Sequence, residues 1–420
     1  MVADTEKQIA LGPFLVDLAA GRLFRDGVDL ELRPQAFRAL KVLVQNPGRL
    51  VDYDHLIREA WDVHVSKHTL AVTVSELKNV LEEYGSWIIC RPKVGYCLEI
   101  HTSEDLLRKG WHYWGQYTRE GFENALLCFQ EAARADSADF RAFQGIASSC
   151  LMLGGFLMRA PRDMHQPFVD AFDRAVKLCG LTPELRLDRA YGLYIFEKKL
   201  TEAESELLAV RSERPNSVNV YVRLAMVYMA LGRLDEALAV MRQAEAVDAL
   251  LPQLAFIGTL LRLFRHEFDS AVAWAKKTLD LHPGSQVGRV FYAEALEFSG
   301  RQAEALGQYR LASAMSPDIS WIRAQAARFF AANGHRAEAL EILDDLQRYR
   351  ETAYVDAYHM ALLQDALGDR DAAFQELKRA YNEGSYTMLS IDVDAKADSL
   401  RSDPRFARLR GPMASASQRK

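Results

Sequence analysis

Gly232-Arg233-Leu234-Asp235-Glu236-Ala237-Leu238 returns as Gly300-Arg301-Gln302-Ala303-Glu304-Ala305-Leu306 and again as Gly334-His335-Arg336-Ala337-Glu338-Ala339-Leu340. The alanine of this run belongs to a column at a fixed interval of 34 residues: Ala203, Ala237, Ala271, Ala305, Ala339 and Ala373. A second column, Gly232, Gly300, Gly334 and Gly368, has the same spacing, with Lys198 and His266 in its two other slots. Glycine there ends a helix with positive φ. A third column, Tyr191, Ala225, Thr259, Ala293, Ala327 and Ala361, is mostly small, as two closely approaching helices require. A strict period of this length predicts stacked helical hairpins, so most of the chain is a solenoid.

The chain has 420 residues, 49% of them hydrophobic, which suits several buried cores. A formal net charge of −5 gives no global electrostatic case for nucleic acid or for an anionic membrane, so such binding must be local. Five cysteines form no C-x-x-C pair, which argues against a disulfide framework or a zinc site and points to a reducing compartment. Asp4 and Glu6 precede the first apolar run, unlike a secretory signal. The longest apolar stretch, Ala249 to Phe264, is interrupted by Pro252, Gln253 and Arg262 and reads as a buried repeat helix. A cytoplasmic location is expected, with no membrane partner.

The first hundred residues differ in kind. Short apolar runs from Ile9 to Leu32, broken at Ala19-Ala20-Gly21 and Asp26-Gly27, predict a small antiparallel sheet. Pro34 opens a helix whose stripe is Phe37, Leu40, Leu43 and Val44, and Asn46-Pro47-Gly48 ends it. Asp52 starts a second helix that runs to Trp61, and Ser66 caps a third. Leu70, Val74, Leu77 and Leu81 form the buried face of the third, and His68, Val72, Ser75, Glu76 and Asn79 the opposite one. Two last strands, Trp87 to Cys90 and Gly95 to Ile100, flank a hairpin tip at Arg91-Pro92-Lys93-Val94. This order of elements makes a winged helix-turn-helix.

The runs Arg33-Pro34-Gln35-Ala36-Phe37, Asn46-Pro47-Gly48-Arg49-Leu50-Val51 and Leu70 to Lys78, ending in Gly95-Tyr96, resemble the OmpR/PhoB-type DNA-binding domain over residues 9 to 100. The chain resembles the branch of that family joined directly to tetratricopeptide repeats, without a receiver domain. The resemblance implies that the third helix enters the major groove and the wing reaches the backbone or minor groove of duplex DNA. Carried over by motif, Lys67, His68, Thr69 and Lys78 would meet phosphates, and Val72, Thr73, Ser75 and Glu76 would face base edges. Arg91 and Lys93 would serve the wing, and Trp61 would brace the turn. Where response regulators often carry two arginines, Ser75 and Glu76 stand here. Glutamate accepts from cytosine N4 but repels phosphate. Residues 1–101 hold 12 Lys+Arg against 14 Asp+Glu, which lends the domain little electrostatic support. Solvation or packing accounts equally for His68, Lys78 and Val72, and a homodimer on paired half-sites is the expected functional unit.

The repeats resemble the tetratricopeptide family over roughly residues 105 to 385. A first repeat sets Ala125, Phe129 and Ala132 in the slots of Ala237, Met241 and Ala244. The second has an insertion, residues 154–167, read as a loop between helices Phe140 to Leu153 and Phe168 to Leu178. By resemblance, the first helix of each hairpin lines a concave groove showing Ile195, Phe196, Met226, Met229, Phe256, Leu260, Phe264, Val290, Phe298 and Trp321. Packing between repeats demands the same apolar residue types, so either role fits each of them. No Lys/Asn clamp for a peptide carboxylate stands at these positions. A protein, a peptide or a small apolar effector is the expected partner. If the chain's own segment filled the groove, self-association or autoinhibition would follow.

No phosphate-binding loop, zinc-protease, nucleophile-elbow or dinucleotide motif is present, so neither catalysis nor a cofactor or metal is expected. His112, beside Trp111, Tyr113 and Trp114, reads as core. The expected fold is mainly α: a winged helix-turn-helix (1–101), a linker (102–110), a tetratricopeptide superhelix (111–388), and a capping segment with a disordered tail (389–420). The expected function is transcription regulation with a signal received by the repeats. The rival reading is an interaction scaffold whose winged helix no longer binds DNA.

Overall fold

The computed structural model describes residues 8–99, 102–248 and 252–408. Ile100, Ala249 and the tail 411–420, on which expectations were placed, lie outside them. The chain divides into two compact units, residues 1–110 with 128–142 and residues 111–127 with 143–420.

The first unit opens with an antiparallel sheet in sequential order, β1 (Gln8–Leu11), β2 (Phe14–Asp17), β3 (Arg22–Arg25) and β4 (Val28–Asp29). Three helices follow, α1 (Pro34–Val44), α2 (Tyr53–Ala60) and α3 (Lys67–Val80). Pro34 sits in the first turn of α1, where its missing N–H costs nothing. The Asp52 carboxylate accepts from the His55 N–H at 2.8 Å, and the Ser66 hydroxyl from the Thr69 N–H at 3.2 Å, so α2 and α3 start at the predicted caps. Leu40, Leu43, Leu56, Leu70 and Leu77 are fully buried and form one core with the sheet residues Leu11 and Leu23.

A strand the sequence did not announce, β5 (Leu50–Asp52), completes a second sheet with β6 (Ile88–Arg91) and β7 (Gly95–Leu98), in the order β5-β7-β6. Three residues between a glycine and a helix cap carry too little periodicity to be read as a strand. Tyr96 pairs with Val51 on one side and Cys90 on the other. A Cβ on Gly95 would run into the Val51 carbonyl, which is why Gly-Tyr stands at this crossing.

Helix α4 (Ser103–Trp114) covers the segment expected as a linker and buries Leu106, Leu107 and Gly110. It pairs in sequence with α5 (Arg119–Ala135), which supplies residues to each unit. The next pair is α6 (Phe140–Gly155) and α7 (Pro161–Cys179). The insertion is therefore no loop. Pro161 opens α7 at its first turn, and Met164, Phe168, Ala171 and Ala175 form a buried stripe that carries the helix through Pro167. Only five residues, 156–160, connect the two helices.

Six further hairpins follow: α8 (Pro183–Gly192, extended by a π-turn Leu193–Glu197) with α9 (Leu200–Glu213); α10 (Val218–Ala230) with α11 (Leu234–Val247); α12 (Pro252–Phe264) with α13 (Phe268–Leu281); α14 (Gln286–Phe298) with α15 (Gln302–Met315); α16 (Ser320–Ala332) with α17 (Arg336–Tyr349); and α18 (Ala357–Ala366) with α19 (Arg370–Glu383). Every alanine of the 34-residue column is fully buried. Gly232, Gly300, Gly334 and Gly368 have φ between 72° and 85°, and Lys198 and His266 adopt the same left-handed conformation at φ 58°.

After α19 the chain caps the last hairpin: Ala397, Leu400 and Phe406 join the core of α18 and α19, and residues 404–408 are helical. Short turns at Tyr386–Ser390 and Ala395–Ala397 and the one-turn helix Asp398–Arg401 fold it back into the second unit, where Leu389 and Val393 pack on the core of α9 to α12. His112 is exposed, not core, because the buried side of α4 is that of Leu106, Leu107 and Gly110. Among the described residues no helix is long and apolar enough to cross a membrane.

Candidate functional site

On α3 the helical period separates one face from the other. Leu70, Val74 and Leu77 point into the domain, whereas Lys67, His68, Thr69, Val72 and Ser75 are exposed, Val72 to 51%. Lys78 is half-buried. Thr73 is only 4% exposed, so it cannot meet a base edge without unfolding the helix packing; three residues after Leu70, it shares the core-facing side.

Glu76 is also engaged. Both its oxygens accept from the Arg33 guanidinium, Nε to Oε1 at 2.7 Å and Nη2 to Oε2. The guanidinium holds the Glu76 carboxyl below its ordinary value. Arg33, at the start of α1, thereby brings a cation beside the middle of α3, which the sequence did not reveal because 43 residues separate the two. The charge of Glu76 is largely balanced by this pair.

The wing is a tight turn closed by the Val94 N–H on the Arg91 carbonyl at 3.0 Å, with Lys93 at φ 68° and exposed. Arg91 is exposed and lies 3.8 Å from Glu99. Tyr53 at the start of α2 anchors the wing, its N–H donating to the Val94 carbonyl at 3.2 Å, and Lys67 rests over the Tyr53 ring at 5.2 Å. Trp61 is half-buried against the domain core.

The second unit encloses a cavity of about 430 Å³. Its walls come from the first helices of successive hairpins, from α6 to α18, and from the returning segment after α19. Of the ten groove residues expected from sequence, Met226, Met229, Phe256, Leu260, Phe264 and Trp321 line it. The other four pack between repeats. Ile195 and Val290 are fully buried, Phe196 lies against Phe168 and His165, and Phe298 stacks on Phe268. The wall is rich in aromatic rings, with Tyr191, Tyr194 and Tyr386 following one another at centroid spacings of 6.2 and 5.6 Å.

One stretch of this wall is polar. Lys396, buried on the returning segment, binds Glu294 of α14 and Asp394, the latter at 3.0 Å. Gln325 of α16 donates to Glu294 at 2.5 Å, and the Tyr358 hydroxyl to Asp394 at 2.8 Å. Burial opposes the charge on Asp394, but Lys396 and Tyr358 outweigh it and hold the carboxyl below its ordinary value. Glu294 is pushed up by burial despite Lys396. Sequence reading missed Glu294, Gln325, Asp394 and Lys396. Polar residues inside a repeat helix look like surface until a distant segment is known to fold over them.

Comparison with known proteins agrees with both halves. Residues 27–98 match the family described as transcriptional regulatory protein, C terminal, and residues 195–255 match a tetratricopeptide repeat family. The transcriptional regulatory protein KdpE of Mycobacterium tuberculosis is 33% identical over 91 residues, 20% of this chain and 40% of that protein. CutR of Streptomyces coelicolor is 36% identical over 76 residues, 18% of this chain and 35% of that protein. The chain thus spans less than half the length of these curated relatives. Among solved structures, the human IFIT1 dimer with m7Gppp-AAAA superposes with a TM-score of 0.53 at 15% identity, over 75% of this chain and 78% of that one, a likeness of fold alone. The chain joins an OmpR/PhoB-type winged-helix domain of the transcriptional regulatory proteins to an array of tetratricopeptide repeats.

Proposed function

We propose that this chain is a cytoplasmic transcription regulator whose winged helix reads duplex DNA and whose repeats receive a small-molecule signal in the interior cavity. The observation that carries the DNA half is a solvent-facing row on α3, Lys67, His68, Thr69, Val72 and Ser75, together with the exposed cations of the wing. A recognition helix needs such a row to enter the major groove. Neutralisation of Glu76 by Arg33 favours this reading over a domain that has lost DNA. Two copies on half-sites one helical turn apart would be the working unit.

The signal half rests on the cavity. Its aromatic walls and few polar groups are those of a small-molecule site, and the returning segment occupies face that a bound peptide would need. Ligand binding would shift DNA affinity by a coupling energy of ~1 to 3 kcal/mol.

The test is selection of genomic DNA fragments by the purified full-length protein, beside the Arg91→Ala/Lys93→Ala variant. A motif recovered by the wild type and depleted in the variant supports the reading. No enrichment by either protein would leave an interaction scaffold.

A further inference from the structure

Besides its tyrosines, the ionisable side chains that line the cavity are Arg223, Glu294, His359, Asp394 and Lys396. Arg223 is matched by Asp188 behind the wall at 3.5 Å. Lys396 alone serves both Glu294 and Asp394, so the second carboxylate of this buried group has no cation of its own; burial pushes Glu294 up for that reason, and a ligand cation would stabilise its charged form. The next cation, Arg328, is taken by Glu297. Unmatched charge away from water is costly and seeks a partner.

At the polar stretch the hydrogen-bonding capacity left over has the same sense, whereas elsewhere on the wall the buried Trp114 Nε1–H is a donor without a partner among the described residues. Gln325, 3% exposed, gives its amide N–H to Glu294, and its carbonyl oxygen has no partner among the described residues. The His359 Nδ1 lies 2.7 Å from Asp356, which also accepts from the hydroxyls of Tyr354, Ser385 and Thr387 at 3.1, 2.6 and 3.3 Å. With so many donors Asp356 is an acceptor-only carboxylate, so Nδ1 carries the proton. His359 Nε2, on the cavity wall, has no partner among the described residues. The polar stretch thus offers acceptors and surplus negative charge, and aromatic faces surround it.

We propose that the cavity binds an aromatic monocation, an arylalkyl ammonium or a similarly flat amine, with its charged end at Glu294, Gln325 and Asp394 and its ring among the aromatic walls. An ammonium supplies the donors these oxygens lack and the positive charge the carboxylate pair lacks, and Tyr and Trp faces attract the same charge. A carboxylate ligand would meet like charge and acceptors facing acceptors. This inference rests on the cavity being the signal site of the repeats. It does not depend on DNA binding.

The probes are three indoles of near-equal bulk: tryptamine, 3-methylindole and indole-3-acetate, titrated into the full-length protein by calorimetry and by thermal unfolding. Tryptamine is expected to bind about tenfold more tightly than 3-methylindole, to raise the melting temperature, and to leave indole-3-acetate without measurable binding. Glu294→Gln removes the surplus charge and one of the two acceptor oxygens, so it should abolish the preference for tryptamine. Gln325→Met, at constant bulk, should weaken tryptamine and spare 3-methylindole, and it serves if Glu294→Gln does not fold. Equal or tighter binding of either uncharged or anionic indole would overturn the cationic class while leaving the cavity as a receptor site. Failure of all three to bind would overturn both, and the DNA selection would still stand as a separate result.

Discussion

Arg33 at the mouth of α1 and Glu76 in the middle of α3 are joined through both carboxylate oxygens, so the recognition helix carries its acid in an ion pair. Arg33 is 61% exposed, which keeps the pair in high dielectric. Glu76→Gln should therefore change folding stability by less than ~1 kcal/mol. It should tighten DNA binding severalfold across sequences, because Arg33 is released toward phosphate and no acid remains. Denaturant unfolding and anisotropy titrations at fixed salt read the two effects. Weaker binding would mean that Glu76 reads a base.

Lys93 holds the wing tip at φ 68°, a conformation glycine adopts without cost. Lys93→Ala and Lys93→Gly should each lower the slope of log K against log salt by ~1, the loss of one phosphate contact. Only the glycine variant should also gain stability, by up to ~1 kcal/mol. An unchanged slope in both would remove Lys93 from the DNA interface.

The column of helix-to-helix turns makes a similar test inside the repeats. His266 takes the left-handed conformation that Gly232 and Gly300 take at neighbouring turns, and its ring lies 5.5 Å from Phe268. His266→Gly should stabilise the protein by ~0.5 to 1 kcal/mol, the relief of strain outweighing that one contact. Gly300→Ala should cost about 1 kcal/mol or more. Thermal unfolding of both variants ranks the two terms.

Burial pushes the Asp188 carboxyl up to about 6, against the pull of Arg223. Between its ordinary 3.8 and this value the folded chain keeps a proton that the unfolded chain releases. The contribution to stability is thus full below pH 3.8 and is lost as the pH rises through 6, by about 3 kcal/mol. Asp188→Asn should flatten the pH dependence between pH 4 and 6 relative to wild type. Unfolding at a series of pH values measures the difference, and parallel curves would show that Asp188 ionises normally.

Periodic features were legible in the sequence. Helix caps at Asp52 and Ser66, the alanine column and even the two non-glycine turns follow from local patterns, and each appears in place. What escaped reading was non-local. Thr73 was placed at base edges by carrying over the family's motif, yet three residues after Leu70 it shares the inward face of α3. Ile195 and Val290 looked like groove because packing and binding select the same side chains. The residues 154–167 looked like a loop because they carry two prolines, although Pro161 occupies the one helical position where proline is at ease. The polar stretch of the cavity joins α14 to residues a hundred positions away, and no period announces that.

Solenoids commonly gain and lose whole repeats, since each hairpin touches only its neighbours. This one has forfeited that freedom. Lys396 reaches Glu294, the Tyr386 hydroxyl donates to the Gly155 carbonyl, and Arg119 donates to the Tyr349 hydroxyl at 2.6 Å. Duplicating or deleting a single hairpin between any of these partners would rotate and displace one member of the pair out of reach. The number of repeats is fixed by closure, and descendants of this chain can vary its side chains far more readily than its length.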